Sequence, residues 1–70
     1  HERSLLRRAL ERVRPEFRAA TWQAFYRTAV DGAPAGEVAR ALGISMGAVY
    51  IARSRVTARL REEIAALGEA

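Results

Sequence analysis

A chain of 70 residues supports one domain with a thin core, close to the lower size at which packing alone holds a fold. It has no cysteine, and its single histidine is His1 at the terminus, which excludes a disulfide framework, a thiolate metal site and a histidine ligand cluster. Its 12 basic residues against 8 acidic ones give a net charge of +4, and every basic one is arginine.

Arginine's planar fork suits bidentate contacts to phosphate and guanine, so this composition points to nucleic acid; a GC-rich genome writing Arg for Lys on a solvated surface is the alternative source. Apolar runs are only a few residues long and nothing at the N-terminus has the form of a signal peptide. A cytoplasmic domain without membrane association is expected. Because the chain begins with His rather than Met, it is expected to be a piece of something longer, with residues 1–70 forming one domain.

Leu6, Ala9, Leu10 and Val13 recur at helical spacing and predict a first helix from about residue 3 to just before Pro15. Trp22, Phe25, Tyr26 and Ala29 form the stripe of a second helix, with Thr21 or Pro15 as its start and Asp31-Gly32 as its stop. These aromatics read as core rather than as a base-stacking platform. Pro34 suits the first position of a short third helix, Glu37 suits its dipole, and Val38, Ala41 and Leu42 line one side up to Gly43. Ser45 then caps a long fourth helix in which Val49, Ala52, Val56, Leu60, Ile64 and Leu67 repeat every three or four residues. No segment alternates with period two. The expected fold is all-α: a four-helix, helix-turn-helix domain with a long C-terminal recognition helix.

That motif is carried by Ala39, small where two helices cross; by Gly43, able to take the backbone angles of the turn; and by Val49, which plugs the second helix into the core. Met46 is expected to pack at the corner. Around the fourth helix, at about 100° per residue from Val49, the buried stripe includes Ala52, Val56 and Leu60. Gly47, Tyr50, Ile51, Ser54 and Arg55 fall on the opposite, outward face.

The outward residues, with Ala48, the cap Ser45, Arg53 and Arg59, are the candidate DNA-binding set. Gly47 and Ala48 permit close approach, Arg55 can fork onto guanine or phosphate, and Ile51 suits a thymine methyl. Tyr50 can stack or bond a phosphate. Arg53 and Arg59 flank the buried stripe, where phosphate contact and a solvated charge are the two readings. Nothing points to catalysis: Glu62 and Glu63 are adjacent on a helix and diverge, and no phosphate-cradling glycine loop exists. No enzyme activity, cofactor, metal or small-molecule substrate is expected.

The stretch "VDGAPAGEVARALGISMGAVYIARSRVTARLREEI" resembles region 4 of sigma-70-type RNA polymerase initiation factors, in particular the extracytoplasmic-function (ECF) group. The matching residues are Gly32, "EVA" at 37 to 39, "LGIS" at 42 to 45, "GAV" at 47 to 49, "SR" at 54 to 55 and "RLRE" at 59 to 62. The resemblance implies recognition of the −35 promoter element by the second motif helix, with Arg55 on a DNA-contacting position. It also implies docking on the β-subunit flap of RNA polymerase, with an anti-sigma factor as a further partner. The chain departs from the family pattern at Tyr50, Ile51 and Ala52, where basic, polar and arginine residues are usual, and at Arg53, where an apolar one is. Two alternatives stay open. One is a LuxR-type regulator domain, which would dimerise on palindromic DNA; the other is a helical interaction module that binds polymerase or an anti-sigma factor without reading DNA.

Overall fold

The computed structural model describes the backbone of residues 2–69 and the side chains of residues 4–69; His1 lies outside the described residues. These form four α-helices and no strand: α1 (Glu2–Val13), α2 (Ala19–Phe25), α3 (Ala35–Leu42) and α4 (Met46–Glu69).

α1 buries Ala9 and Val13 completely and Leu10 in part, but Leu6, expected in the same stripe, is 46% exposed. It lies a turn N-terminal of Ala9, outside the buried cluster. The helix ends where Pro15 disfavours an α conformation ahead of it, and the chain tightens into a 3-10 turn at Arg14–Glu16. Phe17 is then extended, with its N–H on the Arg14 carbonyl at 3.2 Å, and packs half-buried against the core.

α2 starts at Ala19 behind an extended Arg18, not at Thr21 or Pro15: Trp22 N–H already bonds the Arg18 carbonyl at 3.0 Å, and no side chain caps the end. Thr21 lies inside the helix. The sequence offers no capping residue there, so the backbone alone sets the start. After Phe25 the ladder widens into a π turn, Tyr26–Val30, in which Asp31 N–H reaches the Tyr26 carbonyl at 3.0 Å. The widened turn changes the angular step between residues. Thr28 is buried in place of Ala29, its hydroxyl donating to the Ala24 carbonyl at 2.7 Å, while Ala29 and Tyr26 face out. Gly32, with φ +77°, ends the segment as expected of a left-handed terminator.

Pro34 precedes α3 rather than opening it. It is extended (φ −62°, ψ 140°), and its carbonyl accepts from the N–H groups of Glu37 and Val38, both at 3.1 Å. Val38 and Ala39 are the buried residues of α3; Leu42 packs beside them and Ala41 is exposed. At Gly43 the backbone turns left-handed (φ 68°, ψ 35°). The Ile44 N–H then bonds the Ala39 carbonyl at 3.0 Å and the Gly43 N–H bonds the Arg40 carbonyl at 3.3 Å, the paired pattern of a Schellman motif. Ile44 packs against the cluster that holds Ala39, supplying the apolar contact that accompanies such an ending.

α4 runs for 24 residues, about 36 Å at the standard rise. It contacts each of the other three helices. The core lies along it in two clusters. Ala9, Val13, Trp22 and Phe25 meet Val56 and Leu60 on its C-terminal half; Ala24, Val38 and Ala39 meet Val49 and Ala52 on its N-terminal half. Trp22 and Phe25 stack at a tilt, with centroids 5.4 Å apart. Val13, Val49 and Val56 are the largest fully buried side chains, each contributing about 1.5–3 kcal/mol relative to exposure.

Candidate nucleic-acid interface

Gly43, Ile44 and Ser45 separate α3 from α4. The Ser45 hydroxyl accepts from the Ala48 N–H at 3.0 Å, and the Ser45 carbonyl accepts from the Val49 N–H at 3.2 Å. This cap settles the start of α4 at Met46. Ala39 and Val49 are both buried in the cluster that joins α3 to α4, and Gly43 lies in the turn between the two helices.

Beyond the corner, Gly47, Tyr50, Ile51, Arg53, Ser54 and Arg55 are all exposed and Ala48 is half-buried. Tyr50 and Ile51 keep 51% and 54% of their surface in solvent, which is high for side chains of that size. Met46, expected to pack at the corner, is also exposed, while Leu42 and Ile44 pack against the cluster there. Arg53 and Arg55 have no carboxylate within ion-pairing distance among the described residues.

Arg59 is placed differently. Its Nε and Nη2 donate to Glu16 Oε1 and Oε2 at 2.8 and 3.0 Å, and Nη2 also meets Glu63 Oε1 at 2.9 Å. Arg12 Nε closes the network on Glu63 Oε2 at 2.7 Å. Neither reading made for Arg59 from sequence, a phosphate contact or a solvated charge, describes this clasp. Burial raises the proton affinity of Glu63, yet hydrogen bonds from Arg12 and Arg59 outweigh it and hold the carboxyl below its ordinary value. The Glu16 and Glu63 hydrogen bonds, opposed by desolvation, raise the already high pKa of Arg59.

Charge is unevenly spread along the chain. Residues 38 to 61 contain five arginines and no acid; the remaining residues hold seven arginines and all eight acids. Arg61, outside the candidate DNA-binding set, is exposed seven positions after Ser54, two helical turns along the same face. With Tyr50, Arg53 and Ser54 it lines a shallow open depression on α4.

A second surface shares no residue with this depression. Between α1 and α2 a groove of about 400 Å³ is lined by the apolar Leu10, the aromatic Trp22 and Tyr26, three arginines and the acids Glu11 and Asp31. Among the described residues no group of three His, Asp or Glu is placed to hold a metal ion, and no helix is long and apolar enough to cross a membrane. Comparison with family models, with curated proteins and with solved structures finds no match to this chain.

Proposed function

We propose that this chain is a sequence-specific DNA-binding domain of the helix-turn-helix kind, similar to region 4 of ECF sigma factors, which reads a −35 promoter element with the outward face of α4. In this reading α3 and α4 are the two motif helices, and α4 enters the major groove from its N-terminal end. The observation that carries the proposal is the acid-free, arginine-bearing segment 38 to 61 starting from a short capped corner. Arg55 is its main base-reading candidate, Arg53 and Arg61 are candidates for phosphate, and Gly47 and Ala48 leave room for the duplex to approach. Arg59 is left out, because its guanidinium already holds two carboxylates. The groove between α1 and α2 shares no lining residue with this surface and is the proposed seat of the polymerase β flap, so that both partners bind at once.

The test is a titration of labelled duplexes at two salt concentrations. Affinity is expected to fall steeply with salt as counterions are released. Arg55→Ala is expected to cost about 1–3 kcal/mol on preferred sites and to relax specificity at one base pair. Absence of binding to any duplex at low salt would sink the reading.

A further inference from the structure

The first two turns of α4 offer few side-chain hydrogen-bonding groups. No residue between Arg40 and Arg53 is charged. The Ser45 hydroxyl is engaged with the Ala48 N–H, and Gly47 and Ala48 have no polar side-chain atom. That leaves the Tyr50 hydroxyl. What this end of the helix shows to solvent is hydrocarbon: Met46, Tyr50 and Ile51 are 48%, 51% and 54% exposed. Met46 and Tyr50 are four positions apart and share a helix face, as do Gly47 and Ile51, so the three large side chains frame a low glycine surface.

A base pair shows adenine, guanine and cytosine to the major groove through hydrogen-bonding groups, and thymine also through its C5 methyl. Apart from the Tyr50 hydroxyl, such a tip has nothing to offer the first kind of feature. We infer that the N-terminal end of α4 selects its site by C5-methyl groups, through Ile51 and Met46, leaving Arg55 one turn beyond Ile51 for guanine or phosphate. This rests on the DNA-binding reading and names the chemistry that it recognises. Charge favours duplex DNA over a protein as occupant, because Arg53 and Arg55, unpaired among the described residues, follow directly on the tip in a segment without acids. Cytosine methylated at C5 carries the same group in the same groove, so the tip also makes binding sensitive to cytosine methylation within the site.

The experiment selects preferred sites from a randomised duplex library with the 70-residue chain. Each selected site is then remade with deoxyuridine in place of one thymine at a time. That exchange removes one methyl group and leaves every hydrogen-bonding group intact. One or two adjacent positions are expected to lose roughly three- to fivefold in affinity, the size of one buried methyl contact. The difference should shrink or vanish in Ile51→Ala or Met46→Ala, both at exposed positions, with circular dichroism confirming that each variant is folded. A selected site that binds equally with uracil at every position overturns the methyl inference and leaves the DNA reading standing. Failure to bind any duplex at low salt overturns both, and the hydrocarbon tip is then a protein contact.

Discussion

Arg59 meets Glu16 through two parallel hydrogen bonds, Nε to Oε1 at 2.8 Å and Nη2 to Oε2 at 3.0 Å, across 43 positions of sequence. A two-pronged pairing of this kind fixes orientation as well as distance. It ties the middle of α4 to the turn that follows α1, while Glu63 beneath it holds both Arg59 and Arg12. Arg59 can reach a phosphate only by giving this geometry up. Arg59→Ala is therefore expected to lower the melting temperature by several degrees while leaving the salt dependence of DNA binding unchanged. A drop of about one in the slope of log affinity against log salt would instead make Arg59 a phosphate contact.

Acid should loosen the same clasp. Glu63 binds its proton less tightly in the folded chain than in the unfolded one, so the unfolded state takes up protons first as pH falls. Its contribution is complete above the ordinary carboxyl value of about 4.5 and is lost as pH drops through the lower folded value. Glu63→Gln is expected to lower the melting temperature at pH 7 and to flatten its decline below pH 4.5. Thermal melts of parent and variant across that range provide the check, and parallel declines would show that Glu63 is not the sensitive group.

Gly43 and Gly47, four positions apart, play contrasting parts. Gly43 sits at φ +68°, where a Cβ meets no neighbour but the backbone itself is unfavourable for an L-residue, so Gly43→Ala is expected to cost about 1–2 kcal/mol and Gly43→Val more. Gly47 is helical, and a Cβ there would lie 3.8 Å from Ser45 Oγ, an ordinary contact. Gly47→Ala should keep or slightly raise stability, yet weaken DNA binding by filling the approach between Met46 and Ile51. Denaturant melts and duplex titrations on the two variants separate the roles; equal losses of stability would mean that the corner does not depend on the left-handed residue.

A peptide with the sequence of the polymerase flap helix should shift amide resonances along α1 and α2 around Leu10, Trp22 and Tyr26, and leave those around Arg55 in place. Shifts confined to residues 47 to 55 would place both partners on one face and contradict simultaneous binding.

Much of this architecture was legible because its signals are local. Gly43 and Ser45 act on backbone groups within five positions, so a left-handed terminator followed by a cap marked the end of α3 and the start of α4 correctly. The periodicity of Val49, Ala52, Val56 and Leu60 likewise gave the buried side of α4. Where the regular step failed, so did the expectation: the π turn after Phe25 put Thr28 inside in place of Ala29, and no composition signal announces such a turn. Arg18 opens α2 without a capping side chain, which left its start unmarked. The Arg12, Glu63, Arg59 and Glu16 clasp joins residues up to 51 positions apart, and no spacing rule along one helix reveals it. At the candidate interface, helical geometry gave the outward residues, while Met46 is exposed and Leu42 and Ile44 pack against the corner cluster.

The two halves of the core also differ in how far the chain must travel to make them. Ala39 and Val49 meet across ten positions, whereas Arg12 and Glu63 meet across 51, and the entropy cost of closing a loop rises with its length. The corner between α3 and α4 is therefore expected to assemble early, with α1 docking last on the far half of α4. Unfolding should run in reverse, with α1 peeling away while the end of α4 nearest the corner still holds its shape. The surface proposed to read DNA thus belongs to the part of the molecule expected to form first and to open last.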